Sequence, residues 1–243
     1  MAGVIVVYLG LACAFAGVIL MVRPVAPVRT RRWAAAVATA GVTLAVIGAA
    51  LPAREHRVIA ARTRLDVFMP AYQFHEVHSI QVRAASRDQI YRAVRSVTAD
   101  EIFLFRALTW LRRFGRRGPE SILTAPERAP ILDVATKTTF LLLAEEPGRE
   151  IVVGTLVLAP PGWRPPARPT PEGFKALHAP GFALAAMNFR VEDTGLVTTE
   201  TRIVATDAAA RRRFAVYWRL IYPGSTLLRF TWLRAIARRA PSS

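Results

Sequence analysis

A chain of 243 residues with 33 Lys and Arg against 17 Asp and Glu has a formal net charge of +16, which demands an anionic class of partner without defining a fold. Its one cysteine, Cys13, lies inside an apolar run, so a disulfide framework and a cysteine-based metal cluster are both excluded. Every acidic residue lies beyond position 54, and Arg23, Arg29, Arg31 and Arg32 are the only charges in the first 52 positions; composition divides the chain into an apolar N-terminal part and a basic domain large enough to bury its own core.

The run 2–22 is free of charge and matches the roughly 20 residues that cross a bilayer core. It reads as a transmembrane helix and not a secretory signal, because no basic segment precedes Val4. The run 34–51 is also uncharged but rich in Ala, Gly and Thr, a composition suited to packing on another helix. The two are expected to pair as a membrane hairpin occupying 1–52. Four Arg in the connector are matched by Arg54, Arg57, Arg62 and Arg64 after the second run, so the positive-inside rule is balanced. Anionic cytoplasmic lipid complements a basic domain, which favours the cytoplasmic face of the cell membrane. A tethered domain also meets anionic headgroups before it meets nucleic acid, so the bilayer ranks first as partner and nucleic acid low.

Residues 53–65 form a basic linker with no clear period, ahead of a domain at 66–243. Within 74–84, Phe74, Ile80, Val82 and Ala84 alternate with Ser79, Gln81 and Arg83, the pattern of a half-buried strand. Ser86, with Gln89 three residues on, makes a capping box, and Ile90, Val94 and Val97 give the following helix its apolar stripe. A second helix is expected over 100–114.

Four strand-like runs follow, at 138–145, 150–158, 182–192 and 196–206, with turn residues Glu146-Pro147-Gly148 and Asp193-Thr194-Gly195 joining them in pairs. Setting Val191 opposite Val197, Phe189 opposite Thr199, Met187 opposite Thr201 and Ala185 opposite Ile203 makes one face mostly apolar. The other face then carries Asn188, Arg190, Glu192, Glu200 and Arg202, of which Glu200 and Arg202 are expected to form a cross-strand charge network with Asn188 and Arg190. The proline-rich stretch 160–171 reads as a loop.

Thr206-Asp207 caps a helix that is expected to break at Pro223-Gly224. Beyond it, Leu227, Leu228, Trp232, Leu233 and Ile236 interleave with Arg229, Arg234, Arg238 and Arg239, a basic amphipathic pattern able to lie on a membrane; packing on a sheet with a solvated Arg face is the alternative. Arg211, Arg212 and Arg213 stand near a helix N-terminus, where cations are disfavoured, so an anionic partner is expected there: Glu192 or Glu200 within the chain, or a lipid phosphate.

A strand, two helices, antiparallel strands and a long C-terminal helix, together with Arg149-Glu150-Ile151-Val152-Val153-Gly154, Thr199-Glu200-Thr201-Arg202 and the run 207–214 with Tyr217-Trp218, resemble the START/polyketide-cyclase (SRPBCC) superfamily over 66–240. The resemblance implies an α+β helix-grip domain, with a curved antiparallel sheet wrapped on the C-terminal helix and an apolar small molecule or lipid held between them. On that reading the cavity lining is Ile80, Val82, Phe105, Met187, Phe189, Thr199, Thr201, Tyr217 and Trp218, with no cofactor implied.

No nucleophile elbow, phosphate-binding glycine loop or zinc spacing is present. Glu76 and His78 share strand parity with Ile80 and Val82, which turns both toward the interior, where a carboxylate beside an imidazole is able to serve as a general acid/base pair. A cyclase- or hydratase-like enzyme is thus one alternative to a non-catalytic lipid-binding module, and a membrane scaffold for protein partners another. His75 falls on the opposite face, against a His75/His78 metal pair.

Overall fold

The computed structural model describes residues 2–23, 30–83, 85–116 and 120–242. The connector residues 24–29, with Arg29, and Ala84 at the end of the expected first strand lie outside the described residues. Contacts group the chain into two units, one of Met1–Ala53 with Arg212–Tyr222, the other of Arg54–Arg211 with Pro223–Ser243.

In the first unit, α1 (Ala2–Val22) and α2 (Arg31–Ala50) are each long and apolar enough to cross a membrane. Small residues recur on them at heptad spacing: Gly3, Gly10 and Gly17 on α1, Ala34, Gly41 and Gly48 on α2. The helices approach backbone to backbone along this seam. A Cβ placed on Gly10 would stand 2.4 Å from the Ala45 nitrogen, and one on Gly41 2.3 Å from the Ala14 nitrogen, so only glycine permits the contact. This is dispersion-driven packing of the kind small residues allow in lipid. Arg219, from the Arg212–Tyr222 segment, donates to the carbonyls of Ala49 and Leu51, satisfying orphan acceptors at the negative end of α2. Tyr8 donates its hydroxyl to the Leu220 carbonyl at 2.8 Å.

The second unit is built on a five-stranded antiparallel sheet in the order β3-β7-β6-β5-β4, from β3 (Phe74–Gln81), β4 (Leu141–Glu146), β5 (Glu150–Leu158), β6 (Ala183–Val191) and β7 (Leu196–Ala205). The β6/β7 register joins Val191 to Val197, Phe189 to Thr199, Met187 to Thr201 and Ala185 to Ile203, as the alternation requires. On the apolar face, α4 (Arg87–Ser96), α5 (Phe105–Arg112), α6 (Ile131–Thr138) and residues 223–239 of α8 (Ala208–Arg239) bury one core with Val153, Phe189, Val197, Ile90, Leu132, Trp232 and Leu233.

Several expectations are corrected. The strand expected from 138 starts at Leu141, because Ile131, Leu132, Val134 and Ala135 fall at helical spacing and are buried as α6. The helix expected over 100–114 is a short 3-10 turn at Ala99–Glu101 followed by α5. The segment read as a linker carries β1 (His56–Arg57), paired with β2 (Ala71–Tyr72), and α3 (Arg64–Phe68), whose Leu65 is fully buried.

That last segment also changes the polar face of the sheet. With α7 (Pro171–Lys175) and Phe182 it covers the face from the other side, in a core of Leu65, Met69, Leu143, Val152 and Phe174. Gly154 is required there, since a Cβ would come within 2.9 Å of the Phe174 ring. The expected charge network is therefore buried and differently partnered. Arg202 bridges Asp66 at 2.7 Å and Glu200 at 2.6 Å, and stacks over Tyr72. Asn188 donates to Glu150 at 2.7 Å, and Glu150 also accepts from the Arg64 nitrogen. Arg190 stands apart from that network, paired with Glu192.

The helix expected to end near Pro223 runs through it. Its Asp207 cap accepts from the Ala209 and Ala210 nitrogens.

Candidate functional site: a buried ion pair between sheet and helix

Strand parity sends Phe74, Glu76, His78 and Ile80 of β3 toward the helical layer, and Glu76 is the charged member of that set. Its side chain is 1% exposed. Four groups close around the carboxylate: Ser225 Oγ donates at 2.5 Å, Thr226 Oγ1 lies at 3.3 Å, His78 Nε2 at 3.6 Å and Arg229 Nε at 3.8 Å. Three of these come from the turn of α8 that follows Pro223-Gly224. Burial pushes the Glu76 pKa up, but the His78 imidazole, the Arg229 charge and the Ser225 hydroxyl outweigh it, and the carboxyl is held below its ordinary range.

Arg229 is mostly buried beside its partner, its side chain 15% exposed. Desolvation brings its pKa down to about 10 even with the Glu76 charge pulling the other way. The guanidinium touches Met187 Sδ and lies 5.6 Å from the Trp232 ring centroid, and that ring packs on Phe189 at 4.9 Å. Around the pair, Thr201 Oγ1 and Trp232 Nε1 are buried without a protein hydrogen-bond partner, while His78 Nε2 faces the Glu76 carboxylate. Thr201 is the register partner of Glu76. Buried polar atoms are nearly always bonded, so two such atoms near one ion pair mark this spot as more polar than the rest of the layer.

Of the expected cavity-lining residues, Val82, Phe105, Met187, Phe189, Thr199 and Thr201 are buried and Ile80 partly so. Met187, Phe189, Thr199 and Thr201 border the ion pair from β6 and β7. Tyr217 and Trp218 are not part of this layer; they belong to the unit of the N-terminal helices and pack on Phe214 at 5.6 and 6.1 Å.

The expected membrane-facing set divides. Arg229 and Trp232 are not at the surface: because α8 does not break, Ser225, Arg229, Trp232, Leu233 and Ile236 form one continuous stripe directed at the sheet. That i, i+4, i+7, i+8, i+11 spacing is legible once the helix is taken as unbroken. Arg239 clamps both Glu101 carboxylate oxygens at 2.8 Å, Arg238 donates to the Glu101 carbonyl, and Arg234 is exposed, stacked over Phe230.

Two open clefts flank this end of α8. One, of about 930 Å³, is lined by Tyr91, Arg92, Arg95, Glu101, Arg238 and Arg239 among others; the second, of about 360 Å³, by Phe103, Thr231, Arg234 and Arg238 with Asp100 and Glu101. Neither includes Glu76 or Arg229. The Tyr91 phenol donates to Glu145 at 2.6 Å, and burial followed by that carboxylate pushes its pKa up. His75 lies on the outer side of β3, in an aromatic group with His56 and Tyr72.

Neither a family model, nor a curated protein, nor a solved structure matches this chain.

Proposed function

We propose that this chain is a membrane-anchored, non-catalytic binding module that accepts an apolar molecule or lipid bearing a polar group between its sheet and the 223–239 part of α8. The observation that carries this reading is the Glu76–Arg229 pair with Thr201 Oγ1 and Trp232 Nε1 buried and without a protein partner near it. A buried ion pair is poor value for stability compared with apolar side chains of the same volume, so its retention in an otherwise apolar layer supports a binding role. A polar headgroup reaching Thr201 and Trp232 would supply hydrogen bonds that the protein does not. The layer is otherwise filled, so admission requires α8 to yield, and Pro223-Gly224, immediately before Ser225, are the two residues least able to hold a helix.

Heptad-packed apolar helices support insertion of the hairpin in the bilayer, and the sheet with its long helix supports the helix-grip, SRPBCC-like reading. The balance of Arg on either side of the helices leaves the cytoplasmic side favoured by lipid charge alone.

The test is stabilisation by ligand. Delipidated full-length protein in detergent is titrated with a panel of fatty acids, phospholipids and isoprenoids, and the unfolding midpoint followed. A binder of the native state raises it by mass action. One class should stabilise the wild type and not Arg229→Met; a panel with no effect on a folded protein would count against the reading.

A second reading, acid/base chemistry of the cyclase or hydratase kind, draws on the 3.6 Å approach of His78 Nε2 to Glu76, an arrangement in which a carboxylate orients an imidazole. If a bound molecule recovered from His78→Asn differs chemically from that in the wild type, turnover is indicated; the same molecule in both indicates carriage.

A further inference from the structure

The second unit displays a group of large apolar side chains that its own core leaves uncovered. Around α5 they are Phe103, Leu104, Trp110, Leu111 and Phe114, of which Phe114 is 88% exposed. The surface continues onto α8: Phe103 shares the smaller cleft with Arg234, Arg234 stacks over Phe230, and Leu227 lies one turn before it. Scattered exposed apolar residues need no explanation, but a contiguous group of this size does.

Two further observations say what covers it. The segment is cationic: Arg106, Arg112, Arg113 and Arg116 interleave in sequence with these apolar residues, Arg234 stacks over Phe230, and Arg106 engages Asp100 at 2.5 Å. Aromatic and Leu side chains interleaved with Arg are the composition of helices that lie in the interface of an anionic bilayer. The backbone at both ends of α5 is also unusual: among the described residues, Leu104 and Phe114 are the non-glycine residues with positive φ, 60° and 52°, a conformation costly for bulky side chains.

We propose that residues 103–116, with Phe230 and Arg234, form an interfacial membrane-docking surface that inserts its apolar side chains into a leaflet rich in anionic lipid. The inference rests on the reading of the chain as membrane-anchored and is independent of any ligand between sheet and helix. Its occupant is the bilayer and not a protein partner: charge and apolar character are interleaved at the level of single side chains, as a headgroup-to-acyl boundary demands.

The experiment uses the full chain with Cys13→Ala and a single environment-sensitive fluorophore at Leu111→Cys or, as control, at Val77→Cys on the opposite, outer side of the sheet. Proteoliposomes are made from phosphatidylcholine alone or with phosphatidylglycerol, with and without lipid-borne quencher. Flotation after alkaline extraction reports the hairpin separately; a chain released by that treatment contradicts the anchor reading, not the docking surface. The expected result is a blue shift and strong quenching at position 111, greater with phosphatidylglycerol, and neither at position 77. In floated protein, an unshifted, unquenched label at 111 in both lipid mixtures overturns the proposal. So does shielding that appears in detergent as protein concentration rises but is insensitive to lipid quencher, which would assign the surface to a second copy of the chain. Phe103→Ser and Phe114→Ser together, both at exposed positions, should abolish the shift while flotation persists.

Discussion

Arg229 on α8 and Glu76 on β3 meet at 3.8 Å in a layer otherwise made of Phe189, Met187, Trp232 and their neighbours. Removing one partner of such a pair leaves the other charge buried and uncompensated, at a typical cost of about 3–5 kcal/mol. Arg229→Met alone should therefore unfold at markedly lower denaturant than the wild type. Glu76→Gln with Arg229→Met should recover most of the loss, because both charges are then gone. Chemical denaturation of the four proteins completes the double-mutant cycle, and an additive result would contradict the pairing.

Stability should fall on acidification in a way set by two carboxylates. Glu76 and Asp66 are both held below their ordinary values of 4.5 and 3.8. For Asp66 burial acts upward, and the Arg62 and Thr63 nitrogens and Arg202 act more strongly downward. The unfolded chain thus binds protons at higher pH than the native one. Their contribution is complete above the unfolded values and is lost as pH drops through the depressed native ones. Thermal midpoints measured downward from neutral pH should be flat until about pH 5 and then decline, with a shallower decline in Glu76→Gln.

Arg202, 6% exposed between Asp66, Glu200 and the Met69 carbonyl, ties α3 to β7. Arg202→Ala should cost about 3–5 kcal/mol, as expected when one member of a buried charge network is removed. Protection of the α3 amides in hydrogen exchange should be lost with it. Retained protection would mean that Leu65 and Met69 alone hold the segment.

Gly41 of α2 has no room for a side chain against Ala14. Gly41→Leu should separate the two apolar helices, with a loss on the order of 1–3 kcal/mol from overpacking, read as a lower melting midpoint in detergent. Val42→Leu, at an exposed neighbour, should be neutral.

Much of the fold was legible because its signals are local and periodic. The β6/β7 register follows from alternation and a tight turn, and the capping box of Ser86 and Gln89 forms as spaced. What escaped was decided by tertiary contact. Pro223-Gly224 breaks a helix by propensity, yet α8 runs through the pair. Taking the break at face value hid the Ser225–Arg229 stripe and left Arg229 among the surface residues. Residues 54–65 carry no periodicity because α3 is five residues long and is held by Glu150 and Arg202 from far along the chain. Glu76 was visible from strand parity, but Ser225, Thr226 and Arg229 are 149 to 153 positions away from it, beyond the reach of any local pattern.

Pro223 removes one backbone donor from the helix interior. Pro223→Ala should raise stability on the order of 1 kcal/mol and, on the proposed admission of a ligand by bending at this point, slow the exchange of any bound molecule. Faster exchange in the variant would place the route of admission elsewhere.

Occupation of the layer around Glu76 and Arg229 by a molecule is decided by native mass spectrometry of the full chain released gently from its own membrane, beside Arg229→Met treated identically. A reproducible added mass of one chemical class is expected on the wild type, lost in the variant while both remain folded. A wild-type chain that arrives folded and empty, or an added mass that Arg229→Met retains in full, would contradict it.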